Sequence, residues 1–439
     1  MTEDQAVSMT LSRHPAIGAV QASVRAALLG RKAVSGMWQP QMEFDASYFF
    51  RGPLQTMKIR QQMDTPVGPM DMAFNQTLGS YHNVAATLKA GWRAWDWGIR
   101  ILMGKAADSQ VAMARQDVRK TRAQLAHATR GTFLALLLAK DLKKVAEFGL
   151  KQANRHLRDA KIRKVAGTGN GLEVAQASSV AASRKADLAG VDQQVARFRV
   201  ALALLCGLDP KGSWYVTGDL KALANRSVPR SVERLLAHTP DMEKLRAAAR
   251  ATRTQATMLR RSRWPTVDLA AGVSLLYPKN FFEKEWGPAY QAGVVLTWRF
   301  WDGLTKTRQA EQADVQADRL DRMRAAAQTD VRLKVVDAVT SLRTASAKIT
   351  AARKAVQAAE KYLTAAKTAL AAGAGRSLDT VDAERAVVGA KARVLQALFD
   401  KAMARAQLLD ALGIDQDLGS RSARSVPHVA RREKRTGRK

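Results

Sequence analysis

Side chains able to do covalent or metal chemistry are few in this 439-residue sequence, and their spacing does not suit it. The six histidines (His14, His82, His127, His156, His238 and His428) lack the short intervals that build a metal site. A single cysteine, Cys206, excludes an internal disulfide framework and a cysteine-based metal knuckle. Within Leu204-Leu205-Cys206-Gly207 it reads as a small buried apolar residue. There is no GxSxG elbow. The run Gly167-Thr168-Gly169-Asn170-Gly171 lacks the lysine and the preceding strand of a phosphate loop. Methionine is clustered: six of fourteen (Met37, Met42, Met57, Met63, Met70 and Met72) fall near one hairpin. Thioethers suit Cu(I) or Ag(I), although apolar loop filler is the simpler reading. The sequence predicts no enzyme, no cofactor and no metal centre.

Charge is the most unusual bulk property. The net charge is +32 and the pI near 10.7, which points to an anionic neighbour such as nucleic acid, phospholipid or lipopolysaccharide, or to an acidic milieu. Part of the excess lies in residues 419–439, a strongly basic segment expected to be disordered. A soluble basic coiled-coil protein binding nucleic acid is the alternative reading of this charge. It fits poorly, because bases are usually held by aromatics interleaved with Lys and Arg. Here seven of nine tryptophans (Trp38, Trp92, Trp95, Trp97, Trp264, Trp298 and Trp301) gather where strands meet helices. No apolar run approaches the roughly 18 residues of a transmembrane helix, Phe133 to Ala139 being the richest. Any integral contact with a membrane must therefore be made by β-strands. No secretory signal is evident at the N-terminus.

Those tryptophans belong to an internal duplication. Pro40 follows Pro15 by 25 residues, and Pro265 follows Pro240 by the same interval. Trp92-Arg93-Ala94-Trp95-Asp96 matches Trp298-Arg299-Phe300-Trp301-Asp302. Trp95 to Gly167 and Trp301 to Gly373 are both 72 residues, and Gly167 to Gly207 and Gly373 to Gly413 are both 40. The halves differ in length only between proline and tryptophan, where the first carries 19 extra residues, expected in one variable loop over Gly52 to Gly79.

Each half reads helix, strand, loop, strand, very long helix, tight turn, long helix. The first repeat covers 1–229, with a hairpin over 40–94 and long helices over 97–207. The second covers 230–418, with a hairpin over 265–301 and long helices over 303–413. Opening helices over about 15–37 and 240–263 end near a proline that cannot continue them. Met42, Phe44, Ala46, Tyr48 and Phe50 alternate with polar or small residues, as do Val267, Leu269, Ala271, Val273 and Leu275. The returning strands carry Val84, Ala86, Leu88, Ala90 and Trp92, then Val294, Leu296, Trp298 and Phe300. Period-2 patterning over about 10 residues is what a membrane-crossing β-strand requires. Tryptophan at both strand ends fits an interfacial belt, ring in the acyl chains and N–H in water.

The long helices carry heptads. Val335, Leu342, Ile349, Val356, Leu363 and Leu370 recur every seven residues, with Ala338, Ala345, Ala352, Ala359 and Ala366 filling the alternate seam. Half one repeats this with Leu136, Leu150 and Leu157 against Ala139, Ala146, Ala153 and Ala160, broken once by Lys143. From Trp97 to Ala166 such a rod measures roughly 105 Å, more than any globular core uses.

Taken in order, these landmarks resemble the TolC-like outer-membrane efflux protein family, over nearly all of residues 2–415. The residues carrying the resemblance are Thr2 to Pro15 (with His14 where the family has Asn), Pro40, Trp95-Asp96-Trp97-Gly98, and Ala166-Gly167 through Gly171-Leu172-Glu173-Val174. The second copy supplies Thr239-Pro240, Trp301-Asp302-Gly303, and Ala372-Gly373 through Leu378-Asp379-Thr380-Val381-Asp382. The resemblance implies a mainly α fold with a small β part: a long antiparallel coiled-coil barrel continued into a transmembrane β-barrel. It implies a homotrimer, four strands per chain closing a 12-stranded barrel. Physics agrees, because four strands cannot close and open edges cannot lie in lipid. Implied partners are outer-membrane lipid, a periplasmic adaptor and an inner-membrane pump, with no nucleic acid. The implied location is the outer membrane and periplasm; members carry a signal peptide, whereas this chain opens at a mature-like Thr2-Glu3-Asp4. The family's periplasmic tip, where the duct closes and the adaptor docks, falls on Gly167, Gly171, Leu172 and Glu173, and on Gly373, Arg376, Asp379 and Asp382. Arg376 is slightly displaced from the usual basic position, and Leu370 stands where an aromatic is common. Threefold symmetry would turn each acid into a carboxylate ring.

Overall fold

A computed structural model describes residues 1–66, 68–227, 239–280 and 283–414. The predicted basic tail and the boundary between the repeats lie outside them. The chain divides into two compact units that cut across the repeats. One comprises Met1–Ser23, Ala114–Leu245 and Arg322–Lys439; the other comprises Val24–Met113 and Arg246–Asp321.

The elements recur in matched pairs. Helix α1 (Glu3–Arg13) opens the chain under a capping box made by Thr2 and Gln5. Then α2 (Pro15–Gly36) corresponds to α6 (Pro240–Arg261), each of 22 residues. The long α3 (Ile99–Val165) corresponds to α7 (Thr305–Ala371), each of 67 residues. The returning α4 (Gly171–Cys206) corresponds to α8 (Ser377–Ala411). A short α5 (Leu220–Ala224) was not foreseen.

In the helical unit the predicted seams are the packed faces. Val335, Ala338, Ala345, Ile349, Ala359 and Ala366 are all buried, and so are Leu136, Ala139, Ala153 and Ala160. The main core joins Phe133, Leu134 and Leu136 to Leu202 and Cys206 of α4, Leu223 of α5, Ile349 of α7 and Leu398 of α8. Each fully buried leucine there contributes about 1.5–3 kcal/mol. Lys143, the break in the heptad, is occupied by an ion pair: its Nζ lies 2.6 Å from Asp192 Oδ1 on α4. Hydrogen bonding to Asp192 holds the ammonium pKa above the usual lysine value.

The other unit is built on an antiparallel sheet of β1 (Gln41–Phe50), β4 (His82–Trp95), β5 (Thr266–Tyr277) and β6 (Gly287–Thr297), in the order β1-β4-β5-β6. The segment expected to be a loop over Gly52 to Gly79 is instead a second hairpin, β2 (Gln55–Thr65) with β3 (Gly68–Leu78). Its residues alternate, but Met, Gln, Lys and Arg are weak strand formers and conceal the pattern. The returning strand also ends earlier than expected, at Thr297, leaving Trp298 and Phe300 beyond it.

Candidate functional site: an apolar sheet face and paired helical turns

The register of the four-stranded sheet sorts its residues cleanly. Phe44 faces Leu88, Leu88 faces Val273 and Val273 faces Tyr290, so these four lie in one row on one face. The next row in the same direction is Ala46, Ala86, Leu275 and Pro288. The opposite face carries Asp45, Thr87 and Ser274, then Glu43, Lys89, Gly272 and Gln291. Lys89 Nζ reaches Asp45 Oδ2 at 2.5 Å, Arg93 Nε reaches Asp268 Oδ1 at 2.9 Å, and Thr87 donates to Ser274 at 3.0 Å. Three pairs on the polar face are therefore satisfied within the sheet. On the apolar face Phe44 is 68% exposed, Val273 59% and Tyr290 89%. A continuous apolar row this exposed is the kind of surface that marks a membrane or protein contact. β1 and β6 are edge strands, each with one side unpaired within the chain. Among the described residues no helix is long and apolar enough to cross a membrane.

Each strand–helix junction is built twice from the same parts. After Asp96, Trp97 and Gly98 both take positive φ; after Asp302, Gly303 and Leu304 do so. Asp96 accepts from the Arg100 amide at 3.2 Å and Asp302 from the Lys306 amide at 3.1 Å, each capping the first turn of its long helix. Asp96 also holds Arg100 Nε at 2.8 Å with both side chains buried, and the guanidinium lies 4.2 Å from the Trp38 ring centroid. All seven predicted belt tryptophans are on this unit and partly exposed, from 38% (Trp97) to 69% (Trp301). Contrary to the expectation from sequence, their N–H groups are not all free for water. Trp92 donates to Trp38 O, Trp97 to Pro265 O and Trp298 to Arg263 O, at 2.7–3.2 Å. The indoles brace the junction while their rings face outward.

The two helical turns are also copies. Gly167 and Gly373 both have φ +73°. The next two amides, Thr168 and Gly169, bond back to Arg163 O, and those of Ala374 and Gly375 to Ala369 O, each at 3.0 Å. This αL closure stops each long helix. Gly169 and Gly375 sit where a Cβ would meet backbone, at 3.2 Å from Arg163 C and 2.8 Å from Leu370 N. Gly171, singled out from sequence, has no such constraint; it is merely the first residue of α4.

The acids singled out from sequence each stand near an arginine; Arg376 was named with them, whereas Arg163 and Arg385 were not. Asn170 caps α4 by accepting from the Glu173 amide at 2.9 Å, and Glu173 Oε2 lies 3.7 Å from Arg163 Nη2. Asp379 accepts from both the amide and the guanidinium of Arg376, at 3.2 and 3.3 Å, while Asp382 lies 3.9 Å from Arg385. Leu172 and Leu378, equivalent in the duplication, are exposed. Above the turns, His156 Nε2 lies 3.0 Å from Glu384 Oε2 and Lys367 Nζ 3.6 Å from the other oxygen, joining α3, α7 and α8. A heptad reading passes over such a group, since each residue alone looks like surface polarity beside the seam. Cys206 is wholly buried, with its thiol pushed up by burial, and is no reactive site.

A sheet with one apolar and one polar face, and paired long-helix hairpins, are the elements of an outer-membrane channel subunit. The chain belongs to the outer membrane efflux protein family, whose model matches residues 6–208 and 231–414. It is 25% identical over 191 residues to the pyoverdine export outer membrane protein OpmQ of Pseudomonas aeruginosa, an alignment spanning 43% of this chain and 40% of that protein. Among solved structures it is similar to VceC of Vibrio cholerae, with a TM-score of 0.75 and 20% identity, covering 94% of this chain and 96% of that one. It is likewise similar to the MtrE channel of Neisseria gonorrhoeae in its open state, with a TM-score of 0.75 and 16% identity over 94% and 89% of the two chains. Membership places the protein in the outer membrane and gives no support to the nucleic-acid alternative.

Proposed function

We propose that three copies of this chain form a passive export duct through the outer membrane, gated at the periplasmic helical turns, with no catalytic step of its own. The carrying observation is the exposed apolar sheet face flanked by two unpaired edges. In lipid every strand edge must be paired, so β6 of one copy pairs with β1 of the next. Three copies close a 12-stranded barrel whose polar face lines water. Lipid covers the Phe44–Leu88–Val273–Tyr290 face, and the half-exposed tryptophans mark the membrane boundary.

At the other end, Gly167 and Gly373 turn each pair of long helices at the tip. Threefold symmetry gathers Glu173, Asp379 and Asp382 into acidic rings, each acid already tethered to an arginine. Exposed Leu172 and Leu378 suit docking of a periplasmic adaptor, which couples the duct to an inner-membrane pump. The cargo is chosen by that pump. Light scattering on the full chain in mild detergent tests the assembly. A protein mass of three chains is expected, whereas a monomer that stays dispersed without detergent contradicts it.

A further inference from the structure

The β2–β3 hairpin is the element that channel architecture leaves unexplained. It joins the ends of β1 and β4 away from α2 and α3, and it has no counterpart among the described residues of the second repeat. Its register is regular: Met63 is directly opposite Met70, Gln61 opposite Met72, Ile59 opposite Phe74 and Met57 opposite Gln76. Directly opposed residues share a face, and side chains alternate along each strand. Four methionines therefore lie on one face, while Lys58, Arg60, Asp71 and Asn75 lie on the other.

Three of these methionines are neighbours. Met63 and Met70 form a cross-strand pair with Cβ atoms about 4.5–5.5 Å apart, and Met72 is the diagonal neighbour of Met63 at roughly 7–8 Å. Methionine side chains are long and unbranched, with three rotatable bonds, so their sulfurs can reach a common point above the sheet. Met63 and Met70 are 44% and 57% exposed, so an ion can enter from solvent. No carboxylate or imidazole stands on this face of the pair, and the opposed Gln61 offers an amide oxygen. A donor set of neutral thioethers is a poor ligand for Ca²⁺, Mg²⁺ or Zn²⁺ and selects soft monovalent ions.

We propose that Met63, Met70 and Met72 form a thioether site for a soft monovalent metal ion, Cu(I) or Ag(I), at the outer end of the sheet. The site stands on the hairpin alone and holds whether or not the chain conducts. Met57 shares the face but is six residues from Met63 along β2, and serves as the internal control.

The test is equilibrium dialysis of the detergent-purified full chain against Ag(I), run beside M63L/M70L/M72L and M57L. Leucine keeps the apolar surface and removes only the sulfur, so it separates metal binding from hydrophobic docking. The wild type and M57L are expected to retain one Ag(I) per chain, and the triple variant to lose it while keeping its oligomeric size. ¹³C-methyl methionine spectra give a second readout, with shifts on silver addition confined to three methyl resonances. Equal binding by the triple variant, no binding by the wild type, or shifts spread over all methionines would overturn the proposal.

Discussion

Arg163 Nη2 donates to Ser377 Oγ across 3.3 Å, tying the closing turn of α3 to the first residue of α8. The same guanidinium reaches Glu173 in its own turn. The equivalent position in the second repeat is Ala369, so the duplication supplies two identical turns but only one bridge between them. In the proposed duct both turns line the aperture, and this bond ties one to the other.

Arg163→Ala is expected to loosen that aperture. A half-exposed pair of this kind is worth about 0.5–1 kcal/mol, which shifts a two-state closure by roughly twofold to fivefold. The open fraction in single-channel records should rise by that factor. Arg163→Lys, keeping the charge but not the forked geometry, should fall between. Unchanged records in both variants would show that this bond plays no part in closure.

The two faces of the sheet respond differently to charge. Leu88→Arg places a cation in the apolar row and should cost about 2–4 kcal/mol of membrane stability near mid-bilayer, read as lost oligomer in membrane extracts. Asp45→Asn leaves the barrel intact but frees the Lys89 it pairs with. Its reversal potential across a KCl gradient should move toward anion preference. If the effects exchange places, the assignment of lipid and lumen faces is inverted.

The sequence was most legible where one constraint acts on many residues. Heptads at Val335 to Leu370 follow one buried face along a whole helix, and alternation at Met42 to Phe50 follows the two faces of a strand, so each pattern survives individual exceptions such as Lys143. The glycine turns were legible because a positive φ at Gly167 and Gly373 selects the residue itself. What stayed hidden depends on contacts between distant segments. Arg163 with Ser377, and His156 with Glu384, are separated by more than two hundred residues, and no local rule connects them. The β2–β3 hairpin was missed for a third reason: its strands are made of residues whose local preferences argue for a loop.

Glu3 predicts the pH dependence of the helical unit. It is buried, and burial raises its carboxyl above the ordinary glutamate value despite Arg226, Arg405 and Arg130 pulling it down. A raised folded-state value means that the native state holds this proton more tightly than the unfolded chain does. The stability it contributes is full below the ordinary glutamate range and fades as pH rises through the raised value. Urea midpoints measured upward from about pH 4 should fall more steeply for the wild type than for Glu3→Gln. Parallel curves would remove Glu3 as the cause.

The proposed duct requires copies of this chain to pool their strands around water. Purified full-length protein added to a planar lipid bilayer measures that most directly. Discrete, uniform conductance steps, lost in Leu88→Arg and altered in ion preference by Asp45→Asn, are the predicted result. A silent bilayer, with protein shown to be inserted by its protection from protease, would contradict it.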